Sequence, residues 1–137
     1  MTPQESAREL AESFEMFDDW EDRYRFLIDL GRKLPPLDES LKTEETKVHG
    51  CQSNVWMVAD KTPDGKLDFI ADSDSSIVRG LIGVLREVYA GRTPQEIQGY
   101  QVEELFGEIG FDQHLSMGRR NGLDGMVKRI RSLAAQN

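Results

Sequence analysis

Residues 55 to 71 break the rhythm of the rest of the chain, and that break limits the folds open to it. Val55-Trp56-Met57-Val58-Ala59 is a short apolar run of residues that favour strands. Thr62-Pro63-Asp64-Gly65 is a turn signal. Beyond it Leu67, Phe69 and Ala71 alternate with Lys66, Asp68 and Ile70. This spacing predicts two antiparallel strands joined by a hairpin. Thr46 to His49 is expected to add a third, short strand.

Helical spacing dominates on either side, apart from a polar stretch through Glu44-Glu45 that reads as a loop. Thr2-Pro3-Gln4-Glu5 and Thr93-Pro94-Gln95-Glu96 each offer a Thr N-cap, Pro at the first helical position and Glu to close a capping box. After the first, Ala7, Leu10, Ala11 and Phe14 form a helical stripe. After Asp18-Asp19, a second stripe runs through Trp20, Tyr24, Leu27, Ile28 and Gly31 until Pro35-Pro36 stops it. Asp72-Ser73-Asp74-Ser75-Ser76 is a cluster of capping residues, and launches a helix with Ile77, Leu81, Leu85, Val88 and Tyr89 on one face. Short helical pieces are expected from Pro94 to Leu115. A last helix carries Leu123, Met126, Val127, Ile130 and Leu133. The predicted fold class is α+β: a small antiparallel meander of about three strands, packed by helices from both termini. With 137 residues, no internal repeat and no linker, residues 1–137 are expected to form a single domain.

Charge removes one class of partner. The formal net charge is −8, whereas nucleic acid binding needs a surplus of Lys and Arg on one face. The local exception runs from Arg119 to Arg131, where Arg119, Arg120, Lys128, Arg129 and Arg131 face a single acid, Asp124. That tail reads equally as an anion or partner contact and as a solvated helix face. No stretch approaches the roughly 20 apolar residues of a membrane helix. The polar Met-Thr-Pro-Gln-Glu-Ser start has no apolar signal region, so a cytoplasmic protein is expected.

The chain has one cysteine. An intramolecular disulfide is therefore impossible, and so is a zinc or iron–sulfur site held by several thiolates of one chain. A lone cysteine in a reducing compartment is either a small buried hydrophobe or a reactive thiol. Cys51 lies outside any apolar run, between a long polar loop and a strand, in the order His49-Gly50-Cys51-Gln52-Ser53. A strand to anchor it and a loop to present it suit a reactive group. Gly50 permits backbone angles barred to other residues and could turn N–H groups toward a thiolate. An unperturbed thiol is only a few per cent thiolate at neutral pH, so a helper is needed. His49, His114 and Arg119 are the candidates.

The block Val48-His49-Gly50-Cys51-Gln52-Ser53-Asn54-Val55-Trp56 resembles the signature of the SufE family of sulfur-acceptor proteins. Similar blocks follow in order: Trp20-Glu21-Asp22-Arg23-Tyr24 and Leu30-Gly31-Arg32-Lys33-Leu34-Pro35 before it, Asp72-Ser73-Asp74 and Ile77-Val78-Arg79-Gly80-Leu81-Ile82 after it. Gln113-His114-Leu115-Ser116 and Arg119-Arg120-Asn121-Gly122-Leu123 complete the set, so the likeness spans nearly the whole chain. Ala71 departs from the family's frequent glycine, and Met117 from its frequent proline.

The resemblance implies a compact α+β domain whose reactive cysteine is Cys51, with Gly50, Gln52, Ser53, Asp74, His114 and Arg119 as supporting positions. His49 falls where the family varies and gains no support from it. The implied partner is a SufS-like cysteine desulfurase carrying pyridoxal phosphate, from which Cys51 takes persulfide sulfur while raising the partner's turnover. The implied destination is iron–sulfur cluster assembly on a SufBCD-like scaffold. This chain itself is expected to bind no cofactor, metal, nucleic acid or membrane, and to be a monomer or homodimer. It is read as a carrier and activator more than a stand-alone enzyme. Competing readings are a CsdE-type acceptor serving another desulfurase, an allosteric module that transfers no sulfur, and an independent thiol enzyme with His114 as base.

Overall fold

The computed structural model describes residues 1–50 and 52–136. Cys51, the central expectation of the sequence, lies outside the described residues. Among them are seven α-helices and one two-stranded sheet. The helices are α1 (Pro3–Glu15), α2 (Trp20–Arg32), α3 (Ser76–Tyr89), α4 (Pro94–Gln98), α5 (Val102–Ile109), α6 (Phe111–His114) and α7 (Met117–Ala135). The strands are β1 (Val55–Lys61) and β2 (Leu67–Ser73), and a 3-10 turn at Glu39–Leu41 interrupts the long loop after α2.

The local signals act as expected where the chemistry is local. Thr2 and Thr93 each accept from the backbone N–H of the Glu three residues on, and each Glu returns the bond to the Thr N–H. Asp19, Ser75 and Ser116 cap α2, α3 and α7 with one side-chain bond apiece. In the hairpin Val55 pairs with Ser73 and Lys61 with Leu67, and Gly65 takes the positive φ that the tight turn demands.

Helix α3 is the centre of the core. Its sequence stripe predicts one buried face, yet Val78, Leu81, Ile82, Val84, Leu85, Val88 and Tyr89 are all buried. The reason is that α1, α2, α7 and the hairpin all pack on it. Two glycines bring α2 into backbone contact. A Cβ on Gly80 would lie 2.4 Å from the Leu27 carbonyl oxygen, and one on Gly31 would lie 2.7 Å from the Gly80 nitrogen. The hairpin lays Val55, Met57, Leu67, Phe69 and Ala71 on this core and leaves Trp56, Val58 and Ile70 half-buried on its other face. An aromatic cluster closes the far side, with Phe14 set edge-on to both Phe26 and Phe111 at 4.8 and 5.5 Å.

The expected third strand is reduced to a single bridge, Lys47 with Trp56. Two backbone bonds make it, Met57 N–H to Thr46 at 2.9 Å and Val48 N–H to Val55 at 2.8 Å. Pairing stops on one side because Thr46 Oγ1 turns back to the Leu41 carbonyl at 2.7 Å. It stops on the other because Gly50, at φ +89°, bends the chain away. The outer edge of β2 is closed by the 91–92 backbone at Leu67 and by Arg86, which donates to the Phe69 carbonyl at 3.0 Å. No helix among the described residues is long and apolar enough to cross a membrane.

Candidate functional site

The sequence directs attention to the loop that joins Val48 to β1. Val48 is buried and anchors the loop's start, while His49, Gly50, Gln52 and Asn54 are exposed and Ser53 is half-buried. On the β1 side the loop is held by Asp74, which sits between β2 and α3. Its Oδ1 accepts from the Asn54 N–H at 3.1 Å and its Oδ2 from the Asn54 side-chain amide at 2.9 Å. Asp74 is thus brought to the loop three residues beyond Cys51. Asn54 is the residue that sequence reasoning missed as its partner, although it stands within the same motif.

An ionic cluster supports this clasp from behind. Lys42 reaches Glu39 at 2.8 Å and Asp72 at 3.0 Å, and its ammonium lies 5.3 Å from the centre of the Trp56 ring. Hydrogen bonds to Glu39, then Asp72, hold the Lys42 ammonium protonated above its ordinary range. Arg79 Nε stands 3.1 Å from Asp72 Oδ1, off the line of its N–H, which makes an ion pair rather than a hydrogen bond. Asp72 therefore ties the long loop, β2 and α3 together directly beside Asp74.

Helix α7 forms the wall on the other side. Gly118, in its first turn, lies under the Gln52 side chain, and Gly125 faces the His49 carbonyl and a Val48 methyl, each 3.5 Å from where a Cβ would be. The residues flanking Cys51 on both sides therefore touch one helix. Ser116 caps this helix by accepting the Arg119 N–H at 3.3 Å. Arg119 and Arg120 are exposed in its first turns, with no ion-pair partner among the described residues. Met117 occupies the first helical position, the site most tolerant of proline, so the family departure there disturbs no bond.

The remaining candidates separate. His114 stacks on Trp20, with ring centroids 3.7 Å apart and planes 15° apart, and the Tyr24 hydroxyl donates to its carbonyl. Its ring is committed to α2, a partner that no local pattern announces, while its backbone leads into Ser116 and α7. The basic tail also divides. Arg131 is bound to Glu103 at 2.7 and 2.8 Å and to Gln101 at 3.1 Å, and Arg129 reaches the Glu45 carbonyl at 3.5 Å. Those two are structural, and Arg119, Arg120 and Lys128 remain exposed. The Arg131 guanidinium holds the Glu103 carboxyl below its usual range.

One consequence is testable at the clasp. Asp74→Ala removes both acceptors for Asn54. Amide exchange at Asn54 is expected to rise several-fold, for a loss of ~1–2 kcal/mol from charge-assisted bonds at an exposed site. Exchange in α3 should stay near its original rate. Unchanged protection at Asn54 would show that the clasp does not hold the loop.

Comparison with known proteins identifies the family of the chain. The family model described as SufE, Fe–S metabolism associated domain, matches residues 8–134. An uncharacterized SufE-like protein of Rhizobium meliloti (strain 1021) is 42% identical over 132 residues, 94% of each chain. An uncharacterized SufE-like protein of Rhizobium etli is 44% identical over 132 residues, covering 94% of this chain and 89% of its own. The solution structure of a hypothetical protein from Thermus thermophilus has the same fold, with a TM-score of 0.69 and 24% identity over 99% of this chain and 97% of that one. The chain belongs to the SufE family, and with it to iron–sulfur metabolism.

Proposed function

We propose that this protein is a sulfur acceptor and carrier, loaded at Cys51 by a separate SufS-type cysteine desulfurase. The observation that carries the reading is that a SufE-family chain has one thiol, next in sequence to Gln52, which lies against α7, and three residues before Asn54, which Asp74 holds. A single thiol cannot form an internal disulfide or a multi-thiolate cluster. Its redox and transfer chemistry must run between chains.

The step is a relative of thiol–disulfide exchange. The Cys51 thiolate attacks the outer sulfur of the persulfide on the desulfurase cysteine. A new S–S bond forms, the partner's S–S bond breaks, and the partner leaves as a thiolate. The product is Cys51–S–SH, to be passed on to iron–sulfur assembly. Pyridoxal phosphate belongs to the partner, where it frees sulfur from cysteine.

Two features support Cys51 as the nucleophile. Gln52 lies against the first turn of α7, and a helix N-terminus carries about half a positive charge. Arg119 adds a guanidinium in that same turn, without an ion-pair partner among the described residues. Both favour a thiolate over a thiol in their neighbourhood. Gly50, with its positive φ, gives the chain freedom to present the sulfur. His114, stacked on Trp20, holds the α6–α7 connection to α2.

The test is alanine formation from free cysteine by a cognate desulfurase, with and without this protein. The expected outcome is a saturable rise in desulfurase turnover, reached at near-stoichiometric concentrations. No rise with any of several desulfurases would overturn the proposed partnership.

A further inference from the structure

Glycine on α7 is spaced in an unusual way. Gly118, Gly122 and Gly125 recur at intervals of four and three residues, so they share one face of the helix. Helix interiors disfavour glycine by about 1 kcal/mol relative to alanine, so such a face must be kept for a reason. At Gly118 and at Gly125 the neighbour is the loop around Cys51.

The two positions differ in kind. A Cβ on Gly118 would fall 1.9 Å from Gln52 Oε1, 2.0 Å from its Cδ and 2.6 Å from its Cγ. The Gln52 carboxamide occupies the space of a residue-118 side chain. Gly118 is buried between exposed Met117 and Arg119, as a residue covered by a neighbouring side chain must be. At Gly125 the nearest loop atoms are 3.5 Å away, ordinary van der Waals contact that leaves room for a methyl group.

We propose that Gly118 is a positioning residue for the Cys51 loop: its bare backbone is the seat of the Gln52 side chain, and that contact sets how far the loop stands from α7. The proposal rests on the reading of Cys51 as the working thiol. An alanine at 118 evicts a flexible side chain rather than backbone, so the helix survives and the loop is released. An alanine at 125 meets the loop without moving it. Both substitutions raise helix propensity equally, which makes Gly125→Ala the control for Gly118→Ala.

The measurement is the rate of amide hydrogen exchange across residues 46 to 54 in the free protein, for Gly118→Ala, Gln52→Ala, their double variant and Gly125→Ala. Gly118→Ala and Gln52→Ala should each raise the rate about fivefold, the change that corresponds to ~1 kcal/mol of lost seating. The double variant should be no faster than either, because both remove one contact. Gly125→Ala should match the parent. Circular dichroism and thermal unfolding of each variant separate loop release from a loosened fold. An unchanged rate in Gly118→Ala, or a double variant in which the effects multiply, would overturn the seat. No desulfurase is involved, so failure of sulfur transfer in the parent protein would leave this result standing, and the reverse also holds.

Discussion

Cys51→Ser is expected to abolish sulfur acceptance completely and to remove nearly all stimulation of the desulfurase. Serine is close to cysteine in size and keeps a hydrogen-bonding group. It loses the thiolate, the nucleophile on which persulfide exchange depends. No other thiol exists in the chain to substitute for it. Binding to the desulfurase should survive, since one sulfur atom contributes little to a protein interface against the many contacts that form it. Docking retained with turnover lost is therefore the predicted pattern. Full activation by Cys51→Ser would instead assign the protein an allosteric role without sulfur transfer.

The largest expected effect on stability comes from Gly80→Ala. Alanine is the better helix former by about 1 kcal/mol, and at an open helical site the change stabilises. Gly80 is not such a site. Its Cβ would meet the Leu27 oxygen at 2.4 Å, the Leu27 Cγ at 2.6 Å and the Leu27 carbonyl carbon at 2.8 Å. Backbone atoms cannot rotate aside, so α2 and α3 must separate along a crossing where Gly31 and Gly80 are in contact. Overpacking of this kind typically costs ~1–3 kcal/mol, and here it falls on the helix at the centre of the core, so a net loss at the upper end is expected. Melting should drop by roughly 6–10 °C for a domain of this size. Gly107→Ala, on the exposed side of α5, is the matched comparison. The nearest atom to its Cβ is Asp112 Oδ2 at 3.9 Å, so it should gain up to ~1 kcal/mol. Equal melting temperatures for the two variants would show that the α2–α3 approach is not tight.

What could be read from the sequence divides along the range of the forces involved. The Thr2 and Thr93 capping boxes, the Thr62–Gly65 turn and the Ser75 cap are settled within four residues, and their residue types declare them. The α+β class follows from the same local signals. The spread of buried residues on α3 beyond one stripe does not, because a helical wheel records the residues of α3 and not the elements that surround it. The Gly31–Gly80 crossing joins residues far apart in sequence, and the third strand fails through bonds made by Thr46 and the bend at Gly50.

The site shows the same division. Cys51 stands out by its junction between loop and strand and by the family likeness of its neighbours. Asp74 was legible as a candidate, but its hold on Asn54 is a tertiary contact. The spacing of Gly118, Gly122 and Gly125 is not part of the sequence reading, and only the position of Gln52 gives it meaning. His114 stands out as a histidine, and its stack on Trp20 is a tertiary contact that no local pattern announces.

The most direct test of the sulfur-carrier account is the intact mass of the protein after incubation with a cognate desulfurase, pyridoxal phosphate and free cysteine. The account predicts a gain of one or more sulfur atoms that reductant removes and that Cys51→Ser never shows. An unaltered mass under conditions where the desulfurase turns over, or the same gain in Cys51→Ser, would contradict it.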